Sequence, residues 1–398
     1  MLQQRRPKPL HTRDWLMDAT EQLKAEGKYR QLQTMESSPS PIVTINGRHY
    51  LMAASNNYLS LAADERIKQA AIDAIKTYGV GSTGSRLTTG NTHHHIELEE
   101  SIARFKGEEA CLLFSSGYLA NVGVISSLVG KEDCILSDEL NHASIIDGCR
   151  LSKGKTMIYQ HVNMKDLESK LKESQSYKRR FIVTDGVFSM DGNIAPLPNI
   201  VELAKKYDAF VIVDDAHATG VLGESGRGTC EYYGVNVDAT IGTLSKAIGA
   251  EGGFVVGSHQ LIDYLRNKAR TFIFQTGLPL AVAFAANRAV KMMEQDPERR
   301  RRLYQLQKSL RKKLRNLDFH VLGEDTPIIP VLIGGAKEAV HFAEQLKEFG
   351  VFAPAIRPPT VPEGMSRIRL TVMASFTEEH IEMIVKAFEK ARTVTTPK

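Results

Sequence analysis

The stretch Val211-Ile-Val-Asp-Asp-Ala-His217 sets two carboxylates and an imidazole directly behind three branched apolar residues. Apolar side chains on successive positions suit a strand covered on both faces. The polar residues then fall at its carboxyl end, where α/β sheets present their ligands. A carboxylate there needs a partner, because burying an unpaired charge is expensive. Outward from this strand, short β-rich runs recur at residues 110–114, 134–137, 156–159, 181–184, 239–241 and 253–256, with helical patterns such as 200–206 and 262–268 between them. Strands alternating with helices predict an α/β fold built on a large, mostly parallel sheet.

The flanks read differently. Residues 1–45 are polar, with a helical stretch over 14–26, then Gly27 and a Ser/Pro cluster at 37–41, and are expected to form an arm. Residues 46–285 carry the sheet pattern. From 286 onward, a basic helical region broken at Pro297 leads into strands at 328–333, 351–356 and 367–372 and helices at 337–349 and 378–391, the pattern of a smaller α+β domain. The run Arg299 to Arg302 is expected to be a solvated helix face rather than an anion site.

In the 398 residues, 51 Lys and Arg against 46 Asp and Glu leave a net charge of +5, too weak a bias to point to nucleic acid. No apolar stretch approaches the roughly 20 residues that span a bilayer, and neither a secretion signal nor a CxxC pair is visible. A cytoplasmic protein without a metal site is the expectation.

Three decoys fall away. Gly79-Val-Gly-Ser-Thr-Gly84 satisfies GxGxxG but follows a predicted helix over 66–78, whereas a dinucleotide fingerprint needs a strand there. Val211 to His217 is similar to the metal-binding strand of a P-loop ATPase, yet no GxxxxGK[ST] accompanies it; Gly148 lies one residue too early for Gly154-Lys-Thr156. His93, His94 and His95 would fan out by about 100° each on a helix instead of converging on a metal, so capping or packing is expected of them.

Two further segments share the design of the first. Ser115-Ser-Gly-Tyr-Leu-Ala-Asn121 follows a strand and opens a helix whose free N–H groups can hold a phosphate. Gly242-Thr-Leu-Ser-Lys246 presents a lysine behind two hydroxyl residues. Amine, buried carboxylate and phosphate cradle together specify pyridoxal phosphate, which needs a Schiff-base lysine, an acid at its ring nitrogen and donors for its phosphate.

Over nearly its whole length the chain resembles the α-oxoamine synthases, pyridoxal phosphate enzymes of fold type I (aspartate aminotransferase-like). The resemblance rests on Ala54-Ser-Asn-Asn-Tyr-Leu59, residues 81–90, Ser116 to Asn121, Asn141-His-Ala-Ser144, Thr184-Asp-Gly-Val-Phe-Ser-Met-Asp-Gly192, Val213 to Gly220, Thr243-Leu-Ser-Lys246 and Ile356-Arg-Pro-Pro-Thr-Val-Pro362. It implies that Lys246 holds the cofactor and removes the substrate Cα proton, that Asp214 keeps the ring nitrogen protonated, that His217 meets the ring 3-oxygen and that His142 stacks on the ring. Gly117, Tyr118, Ser189 and Thr243 match further cofactor contacts. Thr276 matches a phosphate contact donated across a homodimer interface, where the active sites would lie. Arg357 matches the arginine for the amino-acid carboxylate, supported by Asn56; Arg30 and Thr360 match positions near the acyl thioester.

The 356–362 stretch is most similar to the biotin-pathway branch. That branch implies an acyltransferase condensing L-alanine with a pimeloyl thioester, of CoA or of an acyl carrier protein, with loss of CO2. The glycine- and acetyl-CoA-using branch stays open as an alternative.

Overall fold

The computed structural model describes residues 11–26 and 29–395. Gly27, expected to end the first helix, lies outside the described residues; the helix itself spans His11–Ala25.

The fold is α/β. Its centre is a seven-stranded sheet in the order Ala110–Phe114, Gly253–Gly257, Ala239–Thr243, Ala209–Asp214, Arg180–Asp185, Cys134–Asp138, Lys155–Tyr159. Gly253–Gly257 runs antiparallel to both its neighbours, and the remaining pairs are parallel. Alternate residues of each strand enter different cores. Ile135, Phe181, Val183 and Ile212 pack with the Gly117–Leu128 and His259–Lys268 helices, whereas Leu136, Ile182, Val211 and Val213 pack with Met164–Glu173 and Leu197–Tyr207. Burial of both faces is why these strands read as unbroken apolar runs.

The C-terminal part forms a three-stranded antiparallel sheet of Ile328–Gly334, Ser366–Thr371 and Ala355–Ile356. The single strand expected over 351–356 is two strands in two sheets, because Val351–Phe352 pairs instead, in parallel, with Arg48–Met52. Pro354 between them has no N–H to give to a ladder. The arm's expected end at residue 45 falls inside a hairpin, Ile42–Ile45 with Arg48–Met52, whose turn residues Asn46 and Gly47 both take positive φ.

Of Arg299 to Arg302, Arg301 and Arg302 are exposed as expected, whereas Arg299 is half-buried and Arg300 is buried. Arg299 reaches Asp64 at 2.7 Å and the Leu59 carbonyl at 3.1 Å, Arg302 the Phe376 carbonyl at 2.8 Å, and buried Arg300 the Glu224 carbonyl. Consecutive positions point around the helix, so the guanidinium forks bind neighbouring segments on several sides. His95 lies in the first turn of its helix in a capping box with Thr92, and its Nε2 meets the Leu278 carbonyl at 2.8 Å.

Candidate active site

The carboxyl ends of three adjacent strands carry Asp185, Asp214 and Thr243; Asp185 and Asp214 are register partners, and Thr243 ends the strand whose Ile241 pairs with Asp214. Asp214 is buried. Its Oδ2 accepts from Asn121 Nδ2 at 2.6 Å and its Oδ1 from the Ala216 N–H at 2.9 Å. The second acid of the motif does different work: Asp215, wholly buried, pairs with Lys106 at 2.8 Å and binds Thr229, pinning the following loop to the His93–Lys106 helix.

Lys246 stands in the loop after Ala239–Thr243, and among the described residues its Nζ has no hydrogen-bond partner. Burial lowers its pKa to about 8; Asp214 and Asp185 oppose the shift and Arg369 adds to it. His217 is driven well below the usual histidine range, first by burial and then by the charges of Lys246 and Arg369, so its ring is neutral. Its Nδ1 lies 2.7 Å from the Tyr58 hydroxyl. His142, at the N-cap of Ala143–Leu151, is likewise lowered by burial and by Lys246, against the charge of Asp214.

The phosphate cradle is built from backbone. Ser116 caps the Gly117–Leu128 helix by accepting the Leu119 N–H at 3.2 Å, and among the described residues the Gly117 and Tyr118 N–H groups have no acceptor. A Cβ on Gly117 would lie 3.1 Å from Thr243 Cβ, and one on Gly253 only 2.3 Å from the Ser116 carbonyl oxygen. Glycine therefore lets three segments close around these donors.

The segment 49–388 matches the family model for aminotransferase class I and II. The chain is 56% identical to 8-amino-7-oxononanoate synthase 2 of Bacillus subtilis, covering 94% of this chain and 96% of the relative. The chain belongs to the 8-amino-7-oxononanoate synthase family. Among solved structures, it is similar to the serine palmitoyltransferase of S. paucimobilis with a bound pyridoxal phosphate–myriocin adduct, at TM-score 0.92 and 31% identity over 98% and 99% of the two chains. It is also similar to the 8-amino-7-oxononanoate synthase of Francisella tularensis, at TM-score 0.75 and 28% identity over 87% and 98%. As in this family, the fold is of type I and the cofactor is pyridoxal phosphate.

The residues present fit that cofactor. An unpaired amine of lowered pKa, a buried carboxylate and free N–H groups at a helix start supply what its aldehyde, ring nitrogen and phosphate require. Among the described residues, Asn121 Oδ1, buried beside them, also has no protein partner.

The other expected site residues divide in two. Asn56 and Ser189 belong to the Lys246 group through Arg369, which is buried, donates to Asn56 Oδ1 at 3.2 Å and binds the Ser189 carbonyl. Arg357, Thr360 and Arg30 lie apart: Arg357 donates to the Tyr29 carbonyl at 3.4 Å, Thr360 N–H to the Arg357 carbonyl at 3.0 Å, and Arg30 is exposed. Among the described residues no hydrogen bond or ion pair joins these three to the Lys246 group. Thr276 is exposed at the rim of the cradle, where its carbonyl takes the Ser115 hydroxyl at 3.3 Å.

Sequence reasoning missed Arg369 and Asp185. Each left a signal. Arg367-Ile-Arg-Leu370 alternates arginine with apolar residues in a strand that is buried throughout, and Thr184-Asp-Gly186 ends an apolar strand on a carboxylate.

Proposed function

We propose that the chain condenses L-alanine with a pimeloyl thioester, of CoA or of an acyl carrier protein, giving 8-amino-7-oxononanoate, CO2 and the free thiol, as a cytoplasmic homodimer in biotin biosynthesis. The observation that carries this reading is the placement of Lys246, directly after the strand that pairs with the one ending at buried Asp214, within a chain 56% identical to 8-amino-7-oxononanoate synthase 2 of Bacillus subtilis. When bound, pyridoxal phosphate supplies an aldehyde carbon for amines and a ring that accepts the electron pair left at Cα.

The protein's own groups do the rest. Lys246, whose lowered pKa of about 8 leaves a growing unprotonated fraction from neutral to mildly alkaline pH, would hold the aldehyde carbon of the bound cofactor and is the group placed to take the alanine Cα proton. The Asp214 carboxylate, fixed by Asn121 and the Ala216 N–H, holds a proton at the ring nitrogen. Neutral His217, oriented by Tyr58, meets the 3-oxygen. Gly117, Tyr118 and Thr243 take the phosphate, with Thr276 reaching the partner's site, and Ser189 and His142 complete the cofactor contacts.

The Cα carbon then bonds to the thioester carbonyl carbon as the C–S bond breaks. Loss of CO2 from the resulting β-keto acid and protonation at Cα complete the reaction. Arg369, held against Asn56, is placed to pair with the alanine carboxylate. Arg357, Thr360 and Arg30 form a second group at the arm, suited to the acyl thioester, with Arg357 retained as the rival carboxylate partner. We keep the division into arm 1–45, cofactor domain 46–285 and small domain 286–398 as a working scheme.

The test measures thiol release and product mass with alanine plus pimeloyl-CoA or pimeloyl-carrier protein, against glycine plus acetyl-CoA. Turnover with a pimeloyl donor, abolished in Lys246→Ala, is expected. Faster turnover of the glycine pair would overturn the substrate assignment.

A further inference from the structure

Asp185 has no part in the chemistry above, yet it is one of the most constrained residues at the site. It is 3% exposed; its Oδ2 accepts the His142 backbone N–H at 2.6 Å, and its own N–H donates to Asn141 Oδ1 at 2.9 Å. Asn141 is fastened in turn, through Nδ2, to the Val183 carbonyl at 2.8 Å and Ser137 Oγ at 2.9 Å. The turn carrying His142 is therefore stitched to the strand end through both of its residues. Burial and the adjacent Asp214 hold the Asp185 carboxyl well above the usual range, and the His142 N–H that it accepts opposes that shift.

A second set of bonds fixes the ring. Asn121 Nδ2 donates to Asp214 Oδ2 at 2.6 Å and to Ser144 Oγ at 3.0 Å. Because that hydroxyl oxygen accepts from Asn121, its proton is free to point at His142 Nδ1, 2.7 Å away, which also accepts the Ser144 N–H at 3.3 Å. With two donors aimed at Nδ1, the neutral ring must carry its proton on Nε2. Among the described residues Nε2 has no protein partner.

We propose that Asp185 and Ser144 are positioning residues that hold His142 in one place and one tautomer, so that Nε2 meets the reacting molecule as a hydrogen-bond donor. Asp185 sets the backbone, and the chain Asp214–Asn121–Ser144 sets the ring. The proposal rests on the functional reading above for what Nε2 meets, but the arrangement of His142 is a property of the chain itself.

The experiment pairs nitrogen and carbon NMR of the His142 ring in the cofactor-free protein with steady-state kinetics of the holoenzyme. Wild type should show a single Nε2–H tautomer. Ser144→Ala should give a tautomer mixture and lower kcat roughly tenfold, the size of one lost hydrogen bond, with the alanine KM and the yellow cofactor absorbance retained. Asp185→Ala should broaden the His142 signals and lower kcat similarly, and Asp185→Asn, which keeps an acceptor, should restore sharp signals and most of the rate.

An unchanged tautomer and kcat in Ser144→Ala, or an Asp185→Asn variant as impaired as Asp185→Ala, would overturn the proposal. Should Asp185→Ala fail to fold, Ser144→Ala and Asp185→Asn decide alone. A wild-type chain that never turns yellow with pyridoxal phosphate would overturn the functional reading instead, leaving the NMR result to stand by itself.

Discussion

Lys246 combines two opposing influences, and the balance sets its chemistry. Removing its ammonium from water outweighs the attraction of Asp214 and Asp185, bringing the pKa to about 8 from an ordinary value of about 10.4. Cofactor capture by the apo protein should therefore accelerate through about pH 8 rather than above 10, as followed by growth of the cofactor absorbance. The same shift bears on stability. Between about pH 8 and 10.4 the unfolded chain binds more protons at this lysine than the folded chain, so Lys246 makes apo-protein stability rise with pH across that window. Lys246→Met should flatten that part of the profile in denaturant titrations.

The two candidate arginines are separated by their surroundings. Arg369 is buried against Asn56 and Ser189, whereas Arg357 donates to an exposed carbonyl of the arm. A desolvated guanidinium–carboxylate pair loses about 2 to 5 kcal/mol when one partner is truncated. Arg369→Ala is expected to weaken alanine binding by that amount and Arg357→Ala by less, as measured by spectral titration; the reverse order would return the carboxylate to Arg357.

At the scale of elements, the cradle depends on close backbone approach. The antiparallel strand Gly253–Gly257 begins where a side chain would collide with Ser116 and Gly117: a Cβ on Gly253 would stand 2.3 Å from the Ser116 carbonyl oxygen and 2.5 Å from the Gly117 nitrogen. Backbone must move to admit a methyl group, and overpacking of this kind costs about 1 to 3 kcal/mol. Gly253→Ala should lower the melting temperature and, because the displaced atoms belong to the phosphate donors, weaken pyridoxal phosphate more than it weakens pyridoxal. Equal losses for the two ligands would show that the strand supports the fold without shaping the cradle.

Across the whole molecule, the rim of the site bears apolar side chains unusual for a free surface: Val80 is 77% exposed, Leu87 53% and Phe274 69%, near Thr276 and its bridge to Ser85. Exposed apolar side chains gathered within a few residues of this bridge make the region a candidate interface. In the proposed homodimer it would be covered by the second copy. Phe274→Arg should shift the protein toward monomer in sedimentation velocity and release cofactor in parallel; a stable dimer with cofactor retained would place the interface elsewhere.

The sequence by itself determined the layered α/β architecture, since period-two burial on two faces leaves unbroken apolar runs that local reading detects. It also determined the chemistry of Lys246, Asp214 and the glycine-opened helix, because strand ends are marked by the abrupt change from apolar to polar residues. Tertiary structure alone decided three other matters. Arg299 and Arg300 turn from water to bind neighbouring segments, and the 351–356 run divides between two sheets at Pro354. Arg369, in the strand that follows the conspicuous Arg357 motif, is the guanidinium whose charge reaches Lys246 and His217. The physical reason is that local pattern reports whether a residue suits a buried or exposed strand or helix, but which strand a short run pairs with, and which carbonyl, carboxylate or amine a long side chain meets, depends on segments distant in sequence that only packing brings within reach.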